Sequence, residues 1–168
     1  MPEIILLAVC VALFAKYLML NAPFVPTHKV DLQRIGDMVE HYDIKRLVDL
    51  GSGNGRIIGY LAKRFPERNF AGIEIAPLLF SLTKIRFWRM KKIKIILGSV
   101  FNHGWRDYDA IFVFWMPKAF EKKIEKIKQR LIQGQVVISY AFPIPGLSDH
   151  LVEKNVEVKQ LPIYVYKI

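Results

Sequence analysis

Cysteine and histidine are scarce in this 168-residue chain. Cys10 is the only cysteine, which excludes a disulfide framework within the chain, and only four histidines are scattered along it. Zinc and related metals need clustered Cys and His ligands, so no metal centre is expected. With 10 glycines, 9 prolines and 52% hydrophobic residues, the chain is neither low-complexity nor disordered. The composition therefore predicts a globular domain with a hydrophobic core.

Charge is almost absent from the first 23 residues, which contain only Glu3 and Lys16. Residues 4–20 read IILLAVCVALFAKYLML, close to the roughly 20 apolar residues that a membrane-spanning helix needs. A secretory signal peptide is one alternative. It would have basic residues before this run and a small-residue cleavage site after it, whereas here Glu3 precedes the run and LNAPF ends it. A buried core helix is the other alternative, but such helices seldom stay apolar all round. We therefore predict an uncleaved membrane anchor over residues 1–22 and a separate domain over residues 23–168.

Positive charge dominates the remainder of the chain, since 25 Lys and Arg against 15 Asp and Glu leave a net charge of +10. Basic domains stay on the cytoplasmic side of a membrane, so a single-pass protein with a cytoplasmic domain is predicted. Basic runs are most often solvated helix faces, but on an anchored domain they can also contact anionic lipids. Nucleic acid is the other possible partner, and it would not explain the anchor. The first basic cluster comprises Lys84, Arg86, Arg89, Lys91, Lys92 and Lys94, and the second comprises Lys118, Lys122, Lys123, Lys126, Lys128 and Arg130.

Helical and extended patterns alternate from residue 28 onward. Apolar residues recur at helical spacing over 28–42, 54–65, 77–90 and 120–131. Runs of β-branched or aromatic residues occupy 46–50, 69–75, 93–97, 110–114 and 136–142, and two further strands are predicted within 156–168. This alternation predicts an α/β fold with a Rossmann-like, doubly wound, mostly parallel sheet.

Three alternate glycines follow the first predicted strand, in Asp49-Leu50-Gly51-Ser52-Gly53-Asn54-Gly55. Such a turn lets a ligand touch bare backbone at the start of the next helix, where open α/β sheets bind ligands. A dinucleotide-binding fingerprint would need glycine where this chain has Arg56. The spacing, with an acid two residues ahead, resembles that of S-adenosylmethionine methyltransferases, whose cofactor has an amino group and a sulfonium that suit a carboxylate. A turn used only for packing is the alternative.

Further cofactor contacts are predicted at the ends of the second and third strands. Glu74 can accept hydrogen bonds from both ribose hydroxyls, as the acid about 20 residues beyond the glycine turn does in nucleotide-binding folds. A carboxylate that is merely solvated is the alternative. Many methyltransferases hold the adenine amino group with an acid at the position of Ser99, so a serine or a backbone group has to serve here. Ile75 and Val100 complete this predicted set.

Aromatic side chains end the fourth predicted strand, in FVFWMP over residues 112–117. Methyltransferases that act on base amino groups often have an Asn- or Asp-Pro-Pro-aromatic tetrad here, and its absence argues against that substrate class. Phe114, Trp115 and Pro117 are predicted to line the acceptor pocket. The alternative is that Phe114 and Trp115 are ordinary core residues.

The motifs PFVPT, DLGSGNGR, GIEIAP and AFPIP, with MP after strand four, together resemble the ATP synthase c-subunit lysine N-methyltransferase family. The resemblance extends from about residue 23 to 145 and implies a small seven-strand (class I) methyltransferase with an N-terminal membrane segment and a protein lysine as acceptor. It also implies cofactor contacts at Asp49, Gly51, Gly53, Gly55 and Glu74, and adds Thr27 to the pocket. Two departures from the family pattern are Ser99 and a tail that is short for seven strands.

An acceptor lysine must lose a proton before it is methylated, because the pKa of a free lysine is about 10.4. Desolvation beside a cationic sulfonium favours the neutral amine, so a dedicated general base is not required. Tyr140 and His28 are the candidates for one, although each is more often a structural residue. We expect a methyltransferase that modifies a lysine of a membrane protein. The alternatives are a methyltransferase for a lipid or small amphiphile, and a non-catalytic basic module that binds the cofactor at a membrane surface or on RNA.

Overall fold

A computed structural model describes residues 3–5, 27–155 and 160–168, of which 3–5 are helical. The helices that follow are α1 (Lys29–His41), α2 (Arg56–Arg64), α3 (Pro77–Arg86), α4 (Pro117–Glu121) and α5 (Ile124–Lys128). The strands are β1 (Arg46–Leu50), β2 (Asn69–Glu74), β3 (Ile93–Leu97), β4 (Ala110–Val113), β5 (Val136–Tyr140), β6 (Leu151–Asn155) and β7 (Ile163–Lys167). Single 3₁₀ turns occupy Val100–Asn102 and Ser148–His150.

The strands of the described residues form one sheet in the order β3-β2-β1-β4-β5-β7-β6. The first five in that order run parallel, and β7 is antiparallel to both β5 and β6. After β3 at the edge, the chain returns to the middle of the sheet as β4, beside β1. Connections therefore diverge at the carboxyl ends of β1 and β4, which is where such sheets bind ligands. The predicted Rossmann-like, mostly parallel sheet is confirmed.

Each face of the sheet has its own hydrophobic core, because successive strand residues point to opposite sides. Leu47 and Phe112 belong to the core under α1 and α2, together with Ile35, Val39 and Ile58. Val48 and Val113 belong to the other core, which also contains Trp105, Phe120 and Ile127. Helices thus cover both faces, and the site is left at the edge formed by the strand ends.

Several predicted boundaries are wrong. α3 ends at Arg86 rather than near residue 90, because Phe87 leaves the helix and packs against the glycines of α2 and the turn before it. The predicted helix over 120–131 is two short helices that are separated at residues 122–123. β5 ends at Tyr140 rather than residue 142, because Ala141 has a φ of +71°, which is incompatible with a strand.

The first of the two tail strands begins earlier than predicted, whereas the second, β7, lies within the predicted range. β6 precedes residue 156, and residues 156–159 lie outside the described residues. β7 pairs with β5 on one side and β6 on the other, and the Ala141 amide donates to the Pro162 carbonyl at 2.8 Å. The short tail is therefore sufficient for a seven-strand sheet.

The helices of the described residues contradict the predicted single-pass membrane location. Across residues 3–5, 27–155 and 160–168, no helix has both the length and the apolar character needed to cross a bilayer. α1 has 13 residues, whereas a span needs about 20. The apolar run behind the prediction lies outside the described residues except for Ile4 and Ile5, which are exposed. The domain boundary predicted after residue 22 also lies outside them.

Candidate active site

The turn between β1 and α2 exposes backbone at the point where the connections of the sheet diverge. Gly51, Gly53 and Gly55 have φ values of +95°, +54° and +70°, in the left-handed region that glycine adopts without steric cost. The amides of Gly51 and Ser52 both donate to the carbonyl of Ile73, at 2.9 and 3.0 Å. These two hydrogen bonds fix the turn to the end of β2.

Thr83 supports the same turn from α3, a role that sequence reasoning missed. Its buried hydroxyl donates to the Gly53 carbonyl at 3.0 Å. A β-carbon at Gly55 would lie 2.8 Å from Thr83 Cγ2 and 2.5 Å from a ring carbon of Phe87. The only signal in the sequence is a single threonine on a helix rich in aliphatic residues, and it does not reveal which carbonyl the hydroxyl reaches.

Glu74 lies at the end of β2 and contacts the glycine turn directly. One carboxylate oxygen accepts from the Gly53 amide at 2.8 Å, and the other accepts from the Ala76 amide at 2.8 Å. The side chain is buried, yet each oxygen uses only one of its two lone pairs. The carboxylate is therefore positioned rigidly and retains the capacity to accept from hydroxyl groups of a ligand.

Asp49 is a second buried carboxylate, on β1. Burial is the main cause that raises the pKa of Asp49 to about 8, and the negative charge of Glu74 contributes to the same direction. An isolated buried carboxylate is unfavourable when ionised unless a cation or donor accompanies it. Asp49 and Glu74 thus create a site that favours a positively charged ligand group.

The remaining predicted residues of the turn have local roles. Ser52 Oγ is buried without a hydrogen-bond partner among the described residues, and it packs against Gly72, where a β-carbon would approach it to 2.5 Å. The Asn54 carbonyl accepts from Arg86 Nη1 at 3.2 Å. Both residues therefore connect the turn to its neighbours, β2 and α3.

Ser99 and Val100 follow β3 on the same edge of the sheet. Ser99 Oγ accepts from the Phe101 amide at 3.3 Å and caps the short 3₁₀ turn, while the Val100 carbonyl accepts from Trp105 Nε1 at 2.9 Å. Ile75 and Leu97, at the ends of β2 and β3, have exposed side chains, and Leu97 is paired in register with Glu74. Sequence reasoning missed Leu97, because an aliphatic residue in a strand normally indicates core.

Trp115 connects the end of β4 to the glycine turn. Its indole Nε1 donates to the Leu50 carbonyl at 2.8 Å, immediately before Gly51. Phe114 is half-buried and packs edge to face on Tyr140, with ring centroids 4.9 Å apart. Pro117 is exposed and begins α4. The aromatic residues at the end of β4 are therefore partly structural, and they border the site without filling it.

Tyr140 and His28, the candidate general bases, differ in environment. Tyr140 is buried, and its hydroxyl donates to Asp31 Oδ2 at 2.5 Å, while Arg34 Nη1 donates to Asp31 Oδ1 at 2.7 Å. Burial first, and then the hydrogen bond to Asp31, raise the pKa of Tyr140, which keeps the hydroxyl protonated. His28 is exposed at the start of α1, directly after the buried Thr27. The geometry argues against Tyr140 as a base.

Solved structures define the class to which this fold belongs. The chain superposes on an RNA methyltransferase from Salinibacter ruber, crystallised with S-adenosylhomocysteine, with a TM-score of 0.74 over 86% of this chain and 94% of that one, at 24% identity. It also superposes on an O-methyltransferase from Bacillus cereus, in complex with the same compound, with a TM-score of 0.64 over 94% and 89% at 12% identity. The fold is therefore that of the Rossmann-like class I methyltransferases.

Within that class, the chain belongs to the family of the ANTKMT methyltransferase domain, whose model matches residues 49–150. A Mus musculus ATP synthase c-subunit lysine N-methyltransferase is 29% identical over 142 residues, which cover 80% of this chain and 55% of the relative. A Mus musculus adenine nucleotide translocase lysine N-methyltransferase is 30% identical over 60% of this chain and 44% of the relative. A protein-lysine N-methyltransferase of Saccharolobus islandicus is 26% identical over 75% and 80%.

These findings confirm the family resemblance that the motifs indicated. The matched region begins at Asp49, so it contains the glycine turn and Glu74. The chain spans only 55% to 63% of the two rodent ATP synthase c-subunit methyltransferases that it matches.

Proposed function

We propose that this protein is an S-adenosylmethionine-dependent methyltransferase that acts on the side-chain amine of a protein lysine. The observation that carries the proposal is the arrangement of Glu74 and Asp49 beside the glycine turn, at the divergence of β1 and β4, in a chain of this family. The names of the relatives in mouse and Saccharolobus islandicus support lysine as the acceptor.

The residues present fit this cofactor. Glu74 has two free lone pairs for the ribose hydroxyls, and Asp49 offers a buried carboxylate for the cationic amino acid portion. The exposed aliphatic side chains of Ile75 and Leu97 offer an apolar surface for the adenine ring beside Val100. Ser99 Oγ already accepts a backbone hydrogen bond, so a backbone group is the better candidate for the adenine amino group.

When bound, the cofactor would supply an electrophilic methyl group, which the acceptor nitrogen would take as the methyl–sulfur bond breaks and S-adenosylhomocysteine leaves. This chain's own residues then have to position the acceptor and exclude water. The aromatic border formed by Phe114 and Trp115 desolvates an amine that enters the site, and desolvation lowers the pKa of a lysine. No side chain needs to receive the proton inside the site, because the neutral amine is selected on entry.

A labelling experiment tests the proposed function. The full chain is incubated with methyl-labelled S-adenosylmethionine, below saturation, and a membrane extract, and a Glu74→Gln variant serves as the matched control with weakened cofactor affinity. Label that appears in protein and is recovered as methyllysine supports the proposal. Label in the solvent-soluble lipid fraction would instead support a lipid methyltransferase. Cofactor binding without any transfer would support a non-catalytic module.

A further inference from the structure

The outward face of α3 is apolar. Leu78, Leu82 and Ile85 are spaced four and three residues apart, which places them on one face of the helix. They are 65%, 56% and 69% exposed. We refer to these three side chains as the α3 stripe. Large aliphatic side chains aligned in this way on a solvent-facing helix usually mark a contact surface.

The opposite face of the same helix explains why the stripe is not part of the cofactor turn. Thr83 and the following Phe87 point toward the turn and α2, and Thr83 is the only buried residue within α3. The helix is thus held to the domain by Thr83 and the adjoining Phe87, while the three side chains of the α3 stripe stay more than half exposed.

Positive charge accompanies and follows the C-terminal end of the α3 stripe along the chain. The first basic cluster begins on the helix and continues beyond it, and no Asp or Glu lies between Glu74 and Asp107. None of its six side chains forms an ion pair within the described residues. Trp88 lies among them, 72% exposed, and Arg89 stacks on its ring at 4.6 Å.

We propose that the α3 stripe, Trp88 and the first basic cluster form a docking surface for an anionic lipid bilayer. Aliphatic residues enter the interfacial region, a tryptophan suits the headgroup level, and cations attract acidic lipids. The charge of the surface favours this partner. An apolar centre with cations beside it and no Asp or Glu in the same stretch of chain complements a lipid surface of uniform negative charge. The contact is peripheral and requires no membrane-spanning helix.

The second basic cluster lacks these features and provides an internal comparison. Its apolar neighbours Phe120 and Ile127 are buried, and Lys128 lies 3.9 Å from Glu125. Lys123 lies over the rings of Trp115 and Phe101, at 5.3 and 5.6 Å. This cluster therefore has charge without an exposed aliphatic face, and part of that charge is already used within the domain.

Docking by α3 would place the candidate active site at the membrane surface. α3 begins three residues after Glu74, so the contact brings the edge of the sheet that holds the cofactor turn close to the headgroups. This consequence rests on the proposed function, whereas the lipid contact itself does not.

Vesicle co-sedimentation of the full chain tests the proposal. The probe is phosphatidylcholine vesicles that contain one quarter phosphatidylglycerol. We expect Leu82→Ser/Ile85→Ser and Lys91→Gln/Lys92→Gln each to weaken the partition constant at least about tenfold. The matched control, Lys122→Gln/Lys126→Gln, is expected to stay within about twofold of the natural chain, since its cluster has no aliphatic face. Brominated lipids should quench tryptophan emission, and Trp88→Phe should abolish the quenching.

Retained affinity for S-adenosylhomocysteine shows that each variant is folded, and it separates this proposal from the proposed function. Equal partition of all variants, or no quenching at Trp88, would overturn the lipid contact. The proposal would also be overturned if Leu82→Ser/Ile85→Ser lost protein labelling in detergent without vesicles. That result would assign the stripe to the protein substrate. If the natural chain is a dimer and Leu82→Ser/Ile85→Ser makes it monomeric, the stripe is the contact with a second copy, and the proposal is overturned as well.

Discussion

The two halves of the candidate site are built from different chemistry. The half formed by β1 and β2, which we call the donor half, has two buried carboxylates and a glycine turn with exposed backbone. The half formed by β4 and β5, the acceptor half, has aromatic rings, and its buried polar groups are already paired. Tyr140 donates to Asp31, and Trp115 donates to the Leu50 carbonyl.

This difference indicates how the two halves act. Free lone pairs on buried carboxylates specify a ligand by its hydrogen bonds and charge, which is the role we propose for the donor half. Paired polar groups and aromatic surface specify shape and exclude water, which is the role we propose for the acceptor half. Substitutions in the donor half should therefore change cofactor affinity, whereas conservative substitutions in the acceptor half should leave it intact.

The largest expected effect is on the stability of the donor half. Gly55→Ala adds a β-carbon 2.5 Å from the Phe87 ring at a φ of +70°. We expect the free energy of unfolding to fall by about 2–4 kcal/mol, the sum of left-handed strain and overpacking. Urea denaturation of the variant and the natural protein measures this decrease in the free energy of unfolding. The matched control is Gly134→Ala, where φ is +90° and no atom lies within 4 Å of the added carbon, so only the strain of about 1 kcal/mol should remain.

A smaller effect, chiefly on cofactor affinity, is expected from Glu74→Gln. The amide cannot accept from both the Gly53 and Ala76 amides, and it leaves fewer acceptors for ribose hydroxyls. Affinity for S-adenosylhomocysteine, measured by calorimetry, should fall well over tenfold, roughly the loss of one charged hydrogen bond. Asp109→Asn is the control, since its carboxylate also accepts from two backbone amides, those of Lys45 and Arg46. An equal loss of affinity in both variants would contradict the assignment.

The protonation of Asp49 gives a third test of the donor half. The pKa of Asp49 is about 8, so the carboxyl is mostly protonated at pH 7 in the free protein. A cationic ligand group stabilises the ionised form, and binding should therefore release close to one proton at pH 7. Calorimetry of S-adenosylhomocysteine binding in buffers of different ionisation enthalpy measures this release. Asp49→Asn should abolish it and weaken binding over tenfold, about 1.4 kcal/mol.

The pH dependence of stability provides a control for the assignment of the released proton to Asp49. The pKa of Asp49 rises from 3.8 to about 8 on folding, so the folded state holds the extra proton between these values. The free energy of unfolding should therefore contain a component that decreases as pH rises across this window. Asp49→Asn should lack that component. Identical pH profiles in the two proteins would show that Asp49 is solvated rather than buried.

The smallest effect is expected in the acceptor half. Tyr140→Phe removes a hydroxyl whose partner, Asp31, keeps its hydrogen bond from Arg34. Stability should fall by about 1 kcal/mol, and the rate of methyl transfer should stay within a few-fold of the natural protein. A rate that fell a hundredfold with unchanged cofactor affinity would make Tyr140 a catalytic residue and would remove the distinction between the halves.

Local patterns were sufficient for the donor half. The alternation of elements predicted the parallel sheet, and the spacing of Gly51, Gly53 and Gly55 predicted a tight turn after β1, where the structure has three glycines with positive φ. Glu74 was predicted from its position at a strand end, and the structure places its carboxylate on the Gly53 amide. The sheet and the turn were predictable because the residues that form them lie within one strand–turn–helix unit and its neighbouring strand, whereas the contact of Glu74 with ribose hydroxyls stays a prediction.

Contacts between distant residues were not predictable in the same way. The Tyr140–Asp31 hydrogen bond joins residues 109 positions apart, and the Trp115–Leu50 bond joins residues 65 apart. The early end of α3 also depends on a distant contact, because Phe87 packs against Gly55 and Gly59. The membrane prediction, which rested on hydropathy, charge distribution and the family resemblance, is not supported within the described residues.

The sequence by itself determined the class of fold and the position of the glycine turn, because periodicity and glycine spacing are local properties. Only the tertiary structure decided which polar groups stay free for a ligand. Thr83, Trp115 and Tyr140 are all polar near the site, and each is already paired with a partner far along the chain. Whether a donor or acceptor is available depends on what folding brings within hydrogen-bond distance, and a linear pattern does not contain that information.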